Sequence, residues 1–213
     1  MPASKIILTT SLKGFRLPST PQSATTQQLK VAGKVVAHDD FEEIDLVCGV
    51  DVSYGSGVAQ CAAVVVDREL NVVERATTKS AIRHPYIPGL FMLREAGPAL
   101  RTLKKLKRYD LLLVDGHGRL HPRRCGLACY LGVALDKPAI GVAKSMLCGT
   151  ESNGQIKLGG EILGCVVTGR KKLYVSVGHR ISLESAVAII RSMTKKGEWL
   201  PEPLRLADTY SRL

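Results

Sequence analysis

The sequence predicts an α/β protein of one domain, in which helices flank a central sheet with antiparallel and parallel strands. A length of 213 residues fits one domain, and the 45% hydrophobic and 23% charged content excludes a disordered chain. Three strand-like stretches follow one another closely between residues 46 and 77, which is the pattern of an antiparallel meander. Strands and helices alternate after residue 88, which predicts parallel pairing. We find no linker or repeat and expect the domain to span residues 1–213.

The segment of residues 1–40 is predicted to be peripheral and helical. A capping-box pattern at 25–28 precedes apolar residues at helical spacing, namely Leu29, Ala32 and Val36. The chain start lacks the hydrophobic stretch of a signal peptide, and no apolar run reaches the ~18 residues of a membrane span. We therefore expect a cytoplasmic protein with no membrane partner.

The remaining elements follow from short apolar runs and turn residues. Residues 46–54, 62–66 and 71–77 are the strands of the meander, and residues 88–107 are helical in pattern. We expect Gly97-Pro98 to break or kink this helix.

Alternation continues to the end of the chain. Residues 111–115 and 139–143 are apolar runs typical of strands buried on both faces, with a helix at 125–135 between them. A hairpin at 161–177, a helix capped by Ser182 and a final helix from Pro201 complete the prediction.

The charge is the unusual feature of the composition. The chain has 30 basic and 19 acidic residues, a net charge of +11, which indicates a polyanionic partner such as nucleic acid. Residues 101–124 contain eight basic residues against Asp110 and Asp115, over half of that excess. Lys104, Lys105 and Lys107 fit a solvated helix face, whereas the cations beside Asp115 would attract a phosphate backbone.

Histidines and cysteines do not predict a zinc site. His117, His121, Cys125 and Cys129 recur every four residues, but a helix would spread them over about 18 Å, too far for one tetrahedral ion. We expect the six cysteines to be buried thiols and not disulfides.

Two acids occur where burial is expected. Asp51 lies inside an apolar strand and Asp115 ends another, and buried carboxylates need a partner or a metal. Each alone fits equally well as a cap of the following turn. Together, on neighbouring strands, they could share a divalent ion. Glu95, taken alone, fits a solvated helix acid paired with Arg94 or Arg101.

Two loops are candidates for contact with a ligand. Gly116 and Gly118 follow a strand, but His121 replaces the third glycine of a dinucleotide motif, so we favour a loop that approaches a phosphate or a base closely. Prolines stiffen the segment around Tyr86, whose ring could replace a flipped base in the stack. On residues alone, a loop that buries its tyrosine is the preferred alternative.

Seven stretches together carry a resemblance. They are Gly-Val-Asp-Val-Ser at 49–53, Pro-Tyr-Ile-Pro-Gly at 85–89 leading to Arg-Glu at 94–95, Asp-Gly-x-Gly at 115–118, His-Pro-Arg at 121–123 with Gly126, Gly-Val-Ala-Lys-Ser at 141–145, Tyr-Val-Ser-Val-Gly-His at 174–179 and Pro-Glu-Pro-x-Arg-Leu-Ala at 201–207. In this order they resemble endonuclease V, a family of repair nucleases for deaminated bases with an RNase H-like fold.

The resemblance implies a set of site residues. The catalytic acids, which would hold Mg²⁺ or a substituting Mn²⁺, are Asp51, Glu95, Asp115 and Asp208, the last at a position where family members carry an acid or a histidine. Lys144 would face the scissile phosphate. The hypoxanthine and the gap it leaves would be contacted by Tyr86, Pro88, Gly89, Phe91, His121, Gly126 and Leu147. His117 and the first forty residues receive no role.

The implied function is a Mg²⁺-dependent endonuclease that nicks the second phosphodiester bond 3′ to deoxyinosine in DNA. RNA that contains inosine is a further implied substrate, and we expect a monomer. Three alternatives remain open: another RNase H-like nuclease such as a branched-DNA resolvase, a basic nucleic-acid-binding protein without catalysis, and an interaction module that uses the basic face.

Overall fold

A computed structural model describes residue 15 and residues 17–213 of the chain, and the predictions for residues 1–14 and 16 lie outside this part. The elements in chain order are α1 (Pro21–Ala32), β1 (Val47–Gly55), β2 (Val58–Val66), β3 (Val72–Ala81), α2 (Phe91–Leu103), β4 (Leu111–Asp115), α3 (Leu127–Leu135), β5 (Ala139–Ala143), β6 (Thr150–Ser152), β7 (Gln155–Leu158), β8 (Glu161–Thr168), β9 (Lys172–His179), α4 (Leu183–Ser192) and α5 (Glu202–Ser211).

One mixed sheet forms the centre of the molecule. Its nine strands have the order β3-β2-β1-β4-β5-β9-β8-β7-β6. β1, β4 and β5 pair in parallel, whereas the meander of β1 to β3 and the strands beyond β5 pair antiparallel. The predicted α/β fold with a mixed sheet flanked by helices is confirmed.

Helices cover both faces of the sheet. Apolar residues of α2 and α3 share one buried cluster with Cys48 and Val50 of β1. Residues of α4 and α5 share a second cluster with Val47, on the opposite face of the same strand. This alternation along β1 decides which helix each site residue of the strand faces.

Helix α5 lies unusually close to β1. A Cβ atom added to Gly49 would overlap the backbone of Pro203 and Leu204. Only a glycine at this position permits the approach, which brings the carboxyl-terminal half of α5 over the strand that carries Asp51.

Two details of the helix predictions are wrong. Thr20, not Thr25, caps α1, because Thr20 and Ser23 form the capping box and Pro21 occupies the first helical turn. The predicted break at Gly97-Pro98 does not occur, and α2 continues through Pro98. Ala96 and Leu103, on either side of the proline, pack in the same buried cluster, and this packing outweighs the lost backbone hydrogen bond.

The hairpin of β6 and β7 was not predicted. Its strands are only three and four residues long. Five of their seven residues are polar, so the sequence shows no apolar run at this place. The turn Asn153-Gly154, with both φ angles positive, is the sequence signal that could have identified it.

The cysteine prediction holds for four of six residues. All six are free thiols, of which Cys48, Cys61, Cys125 and Cys129 are buried, while the other two are only half-buried.

Among the described residues, no helix combines the length and the apolar character that a membrane crossing requires.

Candidate active site

Three aspartates from three elements meet at one end of the sheet. The parallel register pairs Val50 of β1 with Val114 of β4, so the next residues, Asp51 and Asp115, lie side by side. Helix α5 adds Asp208, and one carboxylate oxygen from each of the three lies within 4.8 Å of the others. The predicted juxtaposition of Asp51 and Asp115 on neighbouring strands is therefore present, and Asp208 completes the cluster.

The charges of this cluster are only partly neutralised by the protein. Lys144, which directly follows β5, donates from Nζ to Asp115 Oδ2 at 2.6 Å and lies 3.4 Å from Asp208 Oδ1. Arg212 donates to Asp208 Oδ1 at 2.8 Å and lowers the pKa of that carboxyl group. Burial alone would lower the pKa of Lys144, but the carboxylates of Asp115, Asp51 and Asp208 together outweigh burial and raise it.

Asp51 is the aspartate that resists ionisation. Burial and then the negative charge of Asp115 raise its pKa to about 7, although a hydrogen bond of 2.8 Å from Ser211 Oγ opposes the shift. Ser211 also accepts a hydrogen bond from Ser53 Oγ at its carbonyl oxygen, which ties the end of α5 to β1. Three carboxylates that repel one another in this way are a fitting donor set for a hard divalent cation.

Glu95 lines the same cavity but is not part of the three-aspartate cluster. It projects from α2, on the other face of the sheet from α5, and is 3% exposed. Its hydrogen bond comes from Tyr54 Oη at 2.9 Å, and burial raises the pKa of its carboxyl group. Arg94 stacks on the ring of Tyr54 at 3.7 Å instead of pairing with Glu95. The prediction of a solvated helix acid is wrong, since Glu95 is buried.

Two cavities adjoin at this end of the sheet. The acidic cavity, about 690 Å³, contains the three aspartates, Glu95 and Lys144. A second cavity of about 360 Å³ shares Phe91, Asp115 and Lys144 with the first. Its lining includes all but one of the residues predicted to contact the base: Tyr86, Gly89, Phe91, His121, Gly126 and Leu147. Pro88, the exception, is exposed beside Tyr86.

Tyr86 stands at the rim of the second cavity. Its side chain is 59% exposed, and its ring contacts Phe91 edge to face at 5.9 Å between centroids. The alternative of a loop that buries its tyrosine is therefore wrong.

His121 is held inside the wall of this cavity. Its Nδ1 accepts the backbone N–H of Arg123 at 3.1 Å, so Nε2 carries the proton and donates to the Gly89 carbonyl at 3.0 Å. Burial lowers the pKa of His121 to about 4, so the ring is neutral at physiological pH. It supports the backbone at Gly89, which has a φ of +74°.

Comparison with known proteins identifies the family. The family model for endonuclease V matches residues 29–209. The chain belongs to the endonuclease V family. An endonuclease V of Thermofilum pendens is 44% identical over 94% of this chain and 92% of its own length. The enzyme is accordingly an endonuclease, a hydrolase of phosphodiester bonds.

Solved endonuclease V structures share the fold. That of Streptomyces avermitilis is 35% identical, with a TM-score of 0.81 over 92% of this chain and 93% of the other. That of Ciona intestinalis, bound to DNA containing an inosine, is 30% identical, with a TM-score of 0.80 over 88% and 94%. The RNase H-like fold implied by the resemblance is confirmed.

Gly116 of the 115–118 motif lines the second cavity, whereas Gly118 and the nearby Gly126 pack against the backbone of the protein itself. A Cβ atom at Gly118 would overlap the backbone of Val177, and one at Gly126 would overlap that of His117. These glycines let the loop pack directly on the sheet and on the start of α3, so the close approach is to the protein's own backbone.

The basic residues of 101–124 lie in two groups, and Lys104, Lys105 and Lys107 are exposed to solvent, as expected. Lys104 to Arg108 follow α2 at the start of β4, a full strand length from Asp115, and Arg108 pairs with Asp110 at 3.3 Å. Arg124 contacts Glu161 at 3.4 Å, and Arg123 donates to backbone and side-chain oxygens within the wall. The cations that do border the aspartates, Lys144 and Arg212, come from other parts of the chain.

Several residues of the site were missed by sequence reasoning. Tyr54 ends the matching strand β1, and an aromatic hydroxyl three residues after Asp51 was the available signal. Ser211 and Gln28 lie in helices, and Arg212 directly follows one, and the position of these helices on the sheet could not be read from spacing. Their contacts with the site form only when α5 and α1 pack against the rest of the protein.

Proposed function

We propose that this endonuclease recognises deoxyinosine in DNA and hydrolyses the second phosphodiester bond on its 3′ side, with Mg²⁺ as cofactor. The observation that carries the proposal is the adjacency of the two cavities, one acidic and one lined by Tyr86, Phe91 and backbone, which share Asp115 and Lys144. If the base is recognised in one cavity and the phosphodiester bond is hydrolysed in the other, the cut falls at a distance from the lesion, as proposed. The Ciona intestinalis relative, solved with inosine-containing DNA, supports the choice of lesion.

The recognition steps use the second cavity. Tyr86, exposed on its proline-flanked segment, would fill the space that the flipped base leaves in the stack. Hypoxanthine differs from adenine by an oxygen in place of an amino group. The walls at Gly89 and Gly126, together with Phe91 and Leu147, would distinguish the two by backbone donors and acceptors and by shape.

The hydrolytic step uses the acidic cavity. Asp51, Asp115 and Asp208 would hold the metal ion, and Glu95 would complete the acidic environment. When bound, a divalent ion assists formation of the nucleophile from water and stabilises the leaving oxygen. Lys144 would turn its ammonium group from the carboxylates toward the phosphate oxygens, where it offsets negative charge that develops during the reaction.

Further parts of the proposal concern the substrate range and the assembly. RNA with inosine is proposed as an additional substrate, with the enzyme acting as a monomer in the cytoplasm. Neither extension changes the roles of the site residues. The same metal cluster and base cavity would serve a ribose backbone.

The cut position tests the proposal directly. A duplex labelled at its 5′ end and carrying one deoxyinosine is incubated with enzyme and Mg²⁺, beside deoxyadenosine, abasic, flap and four-way-junction substrates and an inosine-containing RNA. We expect one product that ends one nucleotide beyond the lesion, and none with chelator. Cleavage of junctions or flaps in preference to the inosine duplex would contradict the proposed function.

A further inference from the structure

A buried glutamine from α1 reaches the wall of the base cavity. Gln28 is 1% exposed although it belongs to a peripheral helix. Its Nε2 donates to the carbonyl oxygens of Gly89 and Cys125, each at 3.0 Å, and its Oε1 accepts from Arg123 Nε at 2.7 Å. All three hydrogen bonds of the amide therefore go to residues that are distant in sequence.

The direction of the amide is determined by its partners. Arg123 can only donate, so the atom that faces it must be Oε1, and Nε2 then faces the two carbonyls. His121 Nε2 lies 3.5 Å from Gln28 Nε2, but both atoms carry protons, so this approach is not a hydrogen bond. An isosteric side chain without donors, or with only acceptors, could not make the same contacts.

The two carbonyls belong to two separate segments of the chain that form walls of the cavity. Gly89 ends the segment that carries Tyr86, and Cys125 directly precedes Gly126 at the start of α3. Arg123 and His121 also donate to the Gly89 carbonyl, at 2.6 and 3.0 Å. Those two residues belong to the loop that leads to Cys125, so they already join the two walls. Gln28 adds a further link from α1, which contacts both carbonyls and Arg123 at once.

We propose that Gln28 is a positioning residue that fixes the distance between the two walls and thereby the selectivity for the deaminated base. This inference rests on the proposed function. Helix α1 is thus part of the recognition apparatus, although it was expected to carry no function. Gln28 lies in the base-cavity wall and not in the acidic cavity, so it should affect substrate recognition and not the chemical step.

The chain offers a matched control in the neighbouring residue. Gln27 also anchors α1, through a hydrogen bond of 3.1 Å from Tyr130 Oη, but it is absent from the lining of the cavity. Gln27→Met and Gln28→Met therefore remove the same chemical group from the same helix, but of the two residues Gln28 is the one that lines the cavity.

A third variant separates the donor contacts of the amide from its acceptor contact. Gln28→Glu keeps an acceptor for Arg123, but it places a carboxylate against two carbonyl oxygens where the amide had donated. If Gln28 acts only through its acceptor contact with Arg123, Glu should behave like the wild type and Met should not. If it positions the walls, both variants lose selectivity.

The experiment measures kcat, KM and the ratio of dissociation constants for deoxyadenosine and deoxyinosine duplexes, with each value normalised to active enzyme. For both Gln28 variants we expect KM to rise about tenfold and the binding ratio to fall toward one, with kcat within about twofold. Gln27→Met should match the wild type. An unchanged ratio in both Gln28 variants, or an equal loss in Gln27→Met, would overturn the proposal.

A ligand-free measurement keeps this inference distinct from the proposed function. Amide hydrogen exchange of residues 86–90 and 125–128 should accelerate in Gln28→Met and not in Gln27→Met. Unchanged exchange would refute the wall connection whatever the substrate is. A different outcome is faster exchange in Gln28→Met together with a wild-type enzyme that does not prefer inosine. That outcome would refute the proposed function and the assigned selectivity, while the structural link between Gln28 and the two walls would stand.

Discussion

The ammonium group of Lys144 lies 2.6 Å from Asp115 and 3.4 Å from Asp208, and so supplies positive charge among three carboxylates that suit a metal ion. Lysine and a divalent cation therefore compete for the same negative charge. This relationship links cation affinity, stability and catalysis at one end of the sheet.

Removal of Lys144 should separate metal binding from catalysis. In Lys144→Met the carboxylates lose their internal cation, so a divalent ion should bind about tenfold more tightly, which is roughly 1.4 kcal/mol. Cleavage should nevertheless fall by on the order of 100-fold, because the charge that offsets the phosphate oxygens is gone. Isothermal titration with Mg²⁺ or Mn²⁺ and single-turnover assays measure both effects. Lys105→Met, at the far end of β4, is the control, and weaker metal binding in Lys144→Met would argue against competition.

The stability of the metal-free protein should depend on Asp51. Its pKa is raised to about 7, against about 3.9 in an unfolded chain, so between these values the folded state binds more protons than the unfolded state. Stability from this group is present at low pH and is lost as pH rises through 7. The melting temperature of Asp51→Asn should therefore exceed that of the wild type at pH 8, by roughly 2–4 °C for each kcal/mol, and the gap should narrow toward pH 5.

Calorimetry with chelator from pH 5 to 8 provides the test. Saturating Mg²⁺ should remove the advantage of Asp51→Asn at pH 8, because the ion neutralises the wild-type cluster. Parallel melting curves for the two proteins at all pH values would show that Asp51 titrates normally.

The close approach of α5 to β1 predicts a sensitive glycine. Gly49→Ala would place a methyl group into the backbone of Pro203, so α5 must move, at a cost of about 1–3 kcal/mol. Asp208 and Ser211 move with the helix, so metal affinity should fall as well. Gly55→Ala is the matched control on the same strand, since nothing lies within 4 Å of its added Cβ. Equal unfolding free energies for the two variants would exclude the tight packing as the cause.

Tyr86 should matter for selectivity and hardly at all for folding. The side chain is 59% exposed, so Tyr86→Ala should change the melting temperature little, whereas it removes the ring that would fill the stack. Affinity for an inosine duplex should drop by on the order of tenfold, with a much smaller loss for an undamaged duplex. Phe at this position should restore selectivity. If both duplexes respond equally to Tyr86→Ala, the ring acts only as a general contact.

Sequence reasoning located the core of the site because burial is visible in apolar runs. Asp51 and Asp115 stand out since each interrupts or ends such a run, and parallel pairing of their strands brings them together. The family resemblance supplied Asp208, Lys144 and six of the residues that line the base cavity.

The remainder depends on packing that spacing does not reveal. Ser211 lies 160 residues from Asp51, and Gln28 lies 97 residues from Cys125, so neither contact leaves a local pattern. A related reason limits what a count of charges along the sequence shows: Arg108 and Asp115 are close in sequence, but strand β4 separates them. Residues that are close in sequence can therefore lie at opposite ends of a strand and be well separated in space.

The most direct measurement is cleavage of a duplex with one deoxyinosine by wild-type and Asp115→Asn enzyme, each with Mg²⁺ and with chelator. Asp67→Asn, in the turn between β2 and β3, is the control. The account predicts a product only for wild type and Asp67→Asn with Mg²⁺, while Asp115→Asn still binds the inosine duplex in preference to the undamaged one. Cleavage by Asp115→Asn at the wild-type rate, or cleavage by the wild type in chelator, would contradict it.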